Sequence, residues 1–383
     1  MPSDKFSLLP FEQQVGQFFF IGLPGTELDA ETRELVEVIK PGGVILFGRN
    51  IDSPEQVRRL LDGVRALSLI PPLCGIDQEG GLVDRLREIF PPMPSARAIR
   101  QHGDLLAARN LGRVTGSVLR MLGFDINFAP VMSIITEARS QLTNGFYSRS
   151  FGSSPAEVLG NTTVYMRGLQ ATGCLGCLKH FPGIGAGEVD THEEIPVIHL
   201  THDDLIAQDL APYIELFQRE DNMVRAVMVS HGGFPNIDIK KGTTGGLVEP
   251  ASISPRIVTK LLRQELGYKH LVVTDDLEMG AIAKHCEIED ATVRAFLAGE
   301  DMLLICATPE TIRRGYRALL EAARKGTVSE KRLHASLKRI AATKALAQPP
   351  TPLDMDKYKG LAAEITKMNE TLDYRYPGES HVN

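Results

Sequence analysis

Short apolar runs alternate with amphipathic segments eight times along this chain, and that alternation constrains the fold more than any single motif does. The runs, rich in β-branched, aromatic and other apolar residues, cover residues 15–23, 43–47, 73–77, 124–129, 174–180, 226–231, 270–275 and 301–306. Between them, residues 30–40, 54–67, 105–122, 155–169, 203–219, 255–266, 290–298 and 309–323 carry apolar side chains at helical spacing, most entered through Ser, Thr or Asp. Strict alternation predicts a parallel sheet with helical crossovers. An open doubly wound sheet could also hold eight strands, so the choice falls to the polar residues at the run ends. Asp77, His180, His231 and Asp275 close the third, fifth, sixth and seventh runs. A closed barrel brings strand ends from all round its rim to one mouth, whereas an open sheet gathers them at one switch point. The expectation is therefore an α/β chain folded as a (β/α)8 TIM-type barrel.

At 383 residues the chain is long enough to bury a barrel core as one unit, and residues 1–348 are expected to form that single domain. Residues 329–347 read as one more helix, after which Gln348-Pro349-Pro350-Thr351-Pro352 breaks the pattern. Residues 349–383 are expected to be a short extension, polar with one weakly helical patch at 361–368, lying on the surface or forming an oligomer contact.

The net charge of −6 is spread over interspersed acids and bases with no Lys/Arg stripe, which argues against nucleic acid and anionic membranes as partners. A small molecule is the expected partner. No stretch is long and apolar enough to span a bilayer, and Met1 to Ser7 lack a basic region leading into an apolar run, so the expected location is cytoplasmic. The five cysteines are an odd number, and four of them fall in apolar strand-like runs, as reduced, core-packed thiols do. Cys174 and Cys177, three apart on a strand, point to opposite faces and suit neither a disulfide nor a shared metal.

The chemistry concentrates in Lys179-His180-Phe181-Pro182-Gly183-Ile184-Gly185, followed by Asp190-Thr191-His192. Titratable side chains in a Gly-rich loop at the carboxyl end of a strand mark the face where such barrels act. These residues, at this spacing, closely resemble the signature of the β-N-acetylglucosaminidases of glycoside hydrolase family 3. The segment from Leu271 through Asp275, Asp276 and Glu278 to Ala281 resembles that family's nucleophile segment. Further matches are Gly42 to Phe47, Asp77-Gln78-Glu79-Gly80-Gly81, Asn127-Phe128-Ala129-Pro130-Val131, Arg149-Ser150-Phe151-Gly152 and Ala298 to Leu303.

The resemblance implies a barrel and a retaining exo-β-N-acetylglucosaminidase acting on cell-wall muropeptide sugars or chitin fragments. Asp275 follows Thr274 at a strand end and matches the family nucleophile, which would form a covalent glycosyl-enzyme. Asp276 should point the other way and serve a cap or loop hydrogen bond. The acid/base role is implied for His192, oriented by Asp190; imidazole, with an unperturbed pKa of about 6.5, can donate and then accept near neutral pH. Asp77, Arg85, Arg149, Lys179 and His180 match positions that hold the sugar hydroxyls and acetamido group. His231 resembles a rim histidine of undefined role. Three positions depart from the family pattern: Ile184 replaces a usual His, Ser133 a common Asp, and Leu82 a common Arg.

Three other readings compete. A β-glucosidase of the same family would bring its acid/base from a second domain, which is not expected here after residue 348. A non-catalytic sugar binder is motivated by Ile184 and Ser133. A metal-dependent barrel hydrolase would use His180, Asp190, His192 and His231, but its usual first-strand His-x-His is replaced by the apolar run Phe18-Phe19-Phe20-Ile21-Gly22. No metal and no cofactor are expected.

Overall fold

The computed structural model describes residues 6, 8–142, 145–187, 194–238 and 248–376. Its strands are β1 Phe19–Gly22, β2 Gly43–Leu46, β3 Leu73–Ile76, β4 Ile126–Asn127, β5 Leu175–Phe181, β6 Ala226–Val229, β7 Leu271–Asp276 and β8 Met302–Ile305. They pair in chain order, all parallel, and β8 returns to β1 through Phe20 opposite Leu304. The barrel is closed, as the spread of polar strand ends predicts.

Each strand is buried along its length, apart from Asp275 and Asp276 at the end of β7. Burial on both faces is why the strands read as continuous apolar runs rather than as alternations. Inside the barrel, the rings of Phe20 and Phe128 meet edge to face at 5.2 Å. Facing strands make room for them. A Cβ at Gly43 would lie 2.4 Å from the Phe20 ring, and one at Gly75 would lie 2.8 Å from the Phe128 ring.

The surrounding helices begin where their caps predict. Ser53, Ser154 and Thr308 each accept a backbone N–H two residues inside Pro54–Ala66, Pro155–Gln170 and Pro309–Arg324, which all start with Pro. Three expectations need correction. Val15 and Gly16 belong to the helix Phe11–Gly16, and the first strand starts at Phe19; an apolar residue is buried equally well in either element. The segment 203–219 is two helices, His202–Ala207 and Ala211–Phe217, because the chain turns between them to send Asp209 inward to Arg139.

The third correction concerns the tail, whose helix runs from Met355 to Thr371, far beyond the expected patch. Its apolar face buries Tyr358, Leu361 and Ile365. Tyr358 packs edge-on against Phe90 at 5.1 Å and donates to the Ile89 carbonyl at 2.8 Å, and Asn369 donates to the Pro92 carbonyl at 2.8 Å. The helix therefore clamps the segment that follows β3. Among the described residues no helix is long and apolar enough to cross a membrane.

Candidate active site

The carboxyl mouth of the barrel gathers side chains from β3, β5, β6 and β7. Beyond β3, the loop brings the carboxylates of Asp77 and Glu79 to one side, where both reach Lys179. Between them Gln78 is fully buried and organises the loop: its Nε2 donates to Asp84 at 2.7 Å, and its Oε1 accepts the Arg85 N–H at 2.9 Å. Asp84 in turn accepts the Met93 N–H at 2.7 Å. The loop is thus held by its own buried amide and carboxylate.

On β5, Lys179 reaches across the mouth. Its Nζ lies 2.6 Å from Asp77 Oδ1 and 2.6 Å from Glu79 Oε1. Arg149 approaches Glu79 from the other side as a two-pronged pair, Nε to Oε2 at 2.8 Å and Nη2 to Oε1 at 2.9 Å. Burial alone would raise the Glu79 carboxyl, but the charges of Arg149 and Lys179 outweigh it and hold the group far below the usual carboxylate range. Burial would likewise lower Lys179, and the carboxylates of Asp77 and Glu79 reverse the effect. The cluster is ionised despite its burial.

Phe146 roofs this cluster, with the Arg149 guanidinium 4.6 Å from its ring centroid and the His180 ring set against its edge at 5.6 Å. His180 Nε2 stands 3.8 Å from Asp275 Oδ2. Asp275 Oδ1 accepts the N–H of Asp276 at 2.9 Å, which fixes the carboxylate with its other oxygen toward the mouth. Asp276 turns away, as expected, and its Oδ1 accepts the Glu278 N–H at 3.1 Å. Burial pushes the Asp276 carboxyl up to about 7, helped by the nearby charges of Glu278 and Asp275 against the Glu278 N–H.

His231 is fully buried at the end of β6, with Nε2 2.8 Å from the Asp276 carbonyl and Nδ1 2.8 Å from Ser252 Oγ. A carbonyl can only accept, so Nε2 carries the proton and Nδ1 accepts the Ser252 hydroxyl. Both ring nitrogens are engaged in holding the backbone next to Asp275, which makes His231 a brace rather than a metal ligand. Among the described residues no group of three His, Cys, Asp or Glu side chains is placed to hold a metal ion.

Asp77, Arg149, Lys179, His180 and Asp275 therefore come together. Arg85 stands at the edge, its guanidinium 5.5 Å from the Phe47 ring, and its buried Nε has no hydrogen-bond partner among the described residues. Asp190 and His192 lie outside the described residues. Glu79, part of a matched motif yet not singled out from the sequence, is the shared partner of Arg149 and Lys179. Its two-residue spacing from Asp77 was the available signal. Of the departures, Ile184 and Ser133 are buried and Leu82 is half exposed at the rim.

A closed parallel barrel whose mouth combines one forward-facing carboxylate with a fixed set of charged hydrogen-bonding groups can hold a polar small molecule against a reactive carboxylate. The glycosyl hydrolase family 3 N terminal domain model matches residues 11–343, and the chain belongs to that family. It is a glycoside hydrolase. Its relatives include a protein named beta-hexosaminidase from Thiobacillus denitrificans, 36% identical over 296 residues, spanning 76% of this chain and 78% of the relative. Another beta-hexosaminidase, from Idiomarina loihiensis, is 32% identical over 290 residues, spanning 75% of this chain and 82% of that protein. Among solved structures, a family 3 beta-N-acetylglucosaminidase from Paenibacillus sp. str. FPU-7 superposes with a TM-score of 0.84 at 33% identity, covering 94% of this chain and 69% of that one. A family 3 glycosyl hydrolase from Mycobacterium smegmatis gives 0.78 at 31% identity, covering 90% and 99%.

Proposed function

We propose that the protein is a retaining exo-β-N-acetylglucosaminidase that releases terminal N-acetyl-β-D-glucosamine through a covalent glycosyl-aspartate at Asp275. The observation that carries this reading is the difference among the mouth carboxylates. Asp77 and Glu79 are committed to Lys179 and Arg149, while Asp275 has no Lys or Arg ion-pair partner among the described residues and presents Oδ2 beside His180. A nucleophile needs an ionised, uncommitted oxygen.

In the first half-reaction Asp275 attacks the anomeric carbon as the glycosidic bond breaks, and His192, oriented by Asp190, gives its proton to the departing oxygen. In the second, neutral His192 takes a proton from water, the water oxygen bonds to the anomeric carbon, and the bond to Asp275 breaks. Two inversions give net retention. Asp77, Arg85, Arg149, Lys179 and His180 hold the sugar, and charge-assisted bonds suit a polyhydroxylated ligand. Asp276 is unsuited as nucleophile, since one oxygen is engaged by a backbone N–H and burial favours its neutral form. The beta-hexosaminidase relatives support the N-acetylglucosaminide preference.

We assign the activity to cytoplasmic turnover of muropeptide sugars or chitin fragments; the cysteines, all free thiols in this fold, suit a reducing compartment. Residues 1–348 form the proposed catalytic domain and residues 349–383 its extension. A panel of nitrophenyl β-glycosides tests the sugar: turnover of the N-acetylglucosaminide well above the glucoside and xyloside is expected, and a preference for glucoside overturns the assignment. A fluorinated mechanism-based sugar should label the peptide at Asp275, and proton NMR should show the β-anomer first. Labelling at Asp276 or Glu278, or an α-anomer, overturns the mechanism.

A further inference from the structure

Arg85 stands on the loop after β3, and its main chain and side chain are placed by different neighbours. Its N–H donates to Gln78 Oε1 at 2.9 Å, which fixes the backbone. Its guanidinium has no carboxylate partner among the described residues, whereas that of Arg149 is gripped by both oxygens of Glu79. What the Arg85 guanidinium meets is the ring of Phe47, with its carbon 5.5 Å from the ring centroid.

Phe47 is half-buried, one residue beyond β2, and the turn after it holds it there. Its N–H donates to Asn50 Oδ1 at 2.9 Å, and the Asn50 N–H donates back to the Phe47 carbonyl at 2.9 Å. Asn50 is fully buried, and its side-chain amide donates to the Leu23 and Gly25 carbonyls, just past β1, at 2.9 and 2.8 Å. Arg49 brings a second guanidinium to the ring, 4.8 Å from the centroid. That group is itself anchored: its Nε donates to the Leu23 carbonyl at 3.2 Å and its Nη2 to the carbonyl of Cys306, one residue beyond β8. Phe47 is therefore held where β8, β1 and β2 meet, the seam at which the barrel closes.

We propose that Phe47, clamped by Arg49, is the positioning residue for Arg85, ordering its guanidinium at the edge of the mouth before the sugar arrives. A guanidinium within about 6 Å of an aromatic centroid is drawn to the ring by its quadrupole, and that attraction restricts a side chain with many rotamers to lose. Neither Phe47 nor Arg49 has to touch the sugar in this role. Ordering a binding group in advance lowers the cost of binding and leaves the chemical step alone, so the effect belongs to KM rather than to kcat. The consequence for KM rests on the proposed sugar-binding role of Arg85; the ordering of Arg85 by Phe47 does not.

Solvent exchange of the arginine Nε–H groups, followed by NMR on the full chain with 15N-labelled arginine and assigned through Arg85→Lys, tests the ordering without any substrate. Phe47→Leu, which removes the ring and keeps an apolar side chain, should speed exchange at Arg85 and leave Arg149 unchanged; Phe47→Tyr should match wild type. Unchanged exchange at Arg85 in Phe47→Leu, or an equal increase at Arg149, overturns the proposal. Arg49→Met keeps the ring and removes its clamp, so it should speed exchange at Arg85 to a smaller extent even if Phe47→Leu does not fold; wild-type exchange in that variant overturns the part assigned to Arg49. Kinetics then test the consequence. KM for nitrophenyl N-acetylglucosaminide should rise about fivefold in Phe47→Leu, with kcat nearly constant and with recovery in Phe47→Tyr. In an Arg85→Lys background the same substitution should add less than about twofold, because the two residues act as one unit. A full further rise in that background overturns action through Arg85. Faster Arg85 exchange in Phe47→Leu, together with a wild-type KM in Arg85→Lys, upholds the ordering and overturns the sugar-binding role of Arg85 instead.

Discussion

Glu79 faces Arg149 fork to fork, with both oxygens bonded at 2.8 and 2.9 Å, and shares one of those oxygens with Lys179 at 2.6 Å. One carboxylate thereby sets the position of two cations from separate parts of the chain. Two-pronged pairing fixes direction as well as charge, so the geometry of the proposed sugar site depends on a side chain that points at its proposed binding residues.

Glu79→Gln keeps the shape and removes the charge, leaving Arg149 without its partner. Stability in urea is expected to fall by about 3 kcal/mol or more, as for other broken buried pairs. KM is expected to rise at least tenfold, with a smaller loss of kcat. The sign with pH follows from the depressed carboxyl: its contribution is full above the unfolded value of about 4.3 and is lost as pH falls toward the folded value. The gap between wild type and variant should therefore narrow in acid; a constant gap from neutral pH to strong acid contradicts the pairing.

Asp276 works in the opposite sense. Its folded carboxyl titrates at about 7 against 3.8 for the ordinary group, so the folded state is favoured while it is protonated and is penalised as pH rises through that window. Asp276→Asn should raise thermal stability at pH 8, by on the order of 1 kcal/mol after solvent screening, and change little at pH 4. An equal effect at both pH values would show that charge is not the cause.

Gly183 sits at φ +120 beside the buried Arg139–Asp209 pair, and a Cβ there would come within 2.7 Å of the Asp209 Cβ. Gly183→Ala is expected to destabilise the fold by about 2 kcal/mol or more through backbone strain and collision. Activity should fall as well, since the residue lies two positions beyond the strand that carries Lys179 and His180. A variant of native stability, by calorimetry, would refute the packing argument.

The helix Met355–Thr371 is expected to act on the sugar site through the loop it clamps. Tyr358→Phe removes one hydrogen bond to Ile89 and should cost about 1 kcal/mol, whereas Tyr358→Ala also opens a hole beside Phe90 and should cost about 3 kcal/mol or more. The Ala variant should raise KM more than it lowers kcat, because the loop carries Arg85. Unchanged KM in a destabilised variant would confine the helix to a structural role.

The strands and their order were readable in the sequence because a parallel barrel buries both faces of each strand, and burial leaves a continuous apolar run wherever it occurs. Helix starts were readable because Ser53, Ser154 and Thr308 satisfy backbone N–H groups a few residues away, a wholly local interaction. Asp77, His180, His231 and Asp275 stood out for the same reason, as polar residues ending apolar runs. Contacts across the barrel left no such trace. Lys179 meets Asp77 from 102 residues away, Arg149 finds Glu79 from 70 away, and Asp209 breaks a helical segment to reach Arg139. The tail helix likewise hid its extent, since its apolar face is short and its partner is a loop formed some 270 residues earlier. Periodicity records which side of an element is buried; what it is buried against is decided when the barrel closes and brings distant strand ends to one mouth.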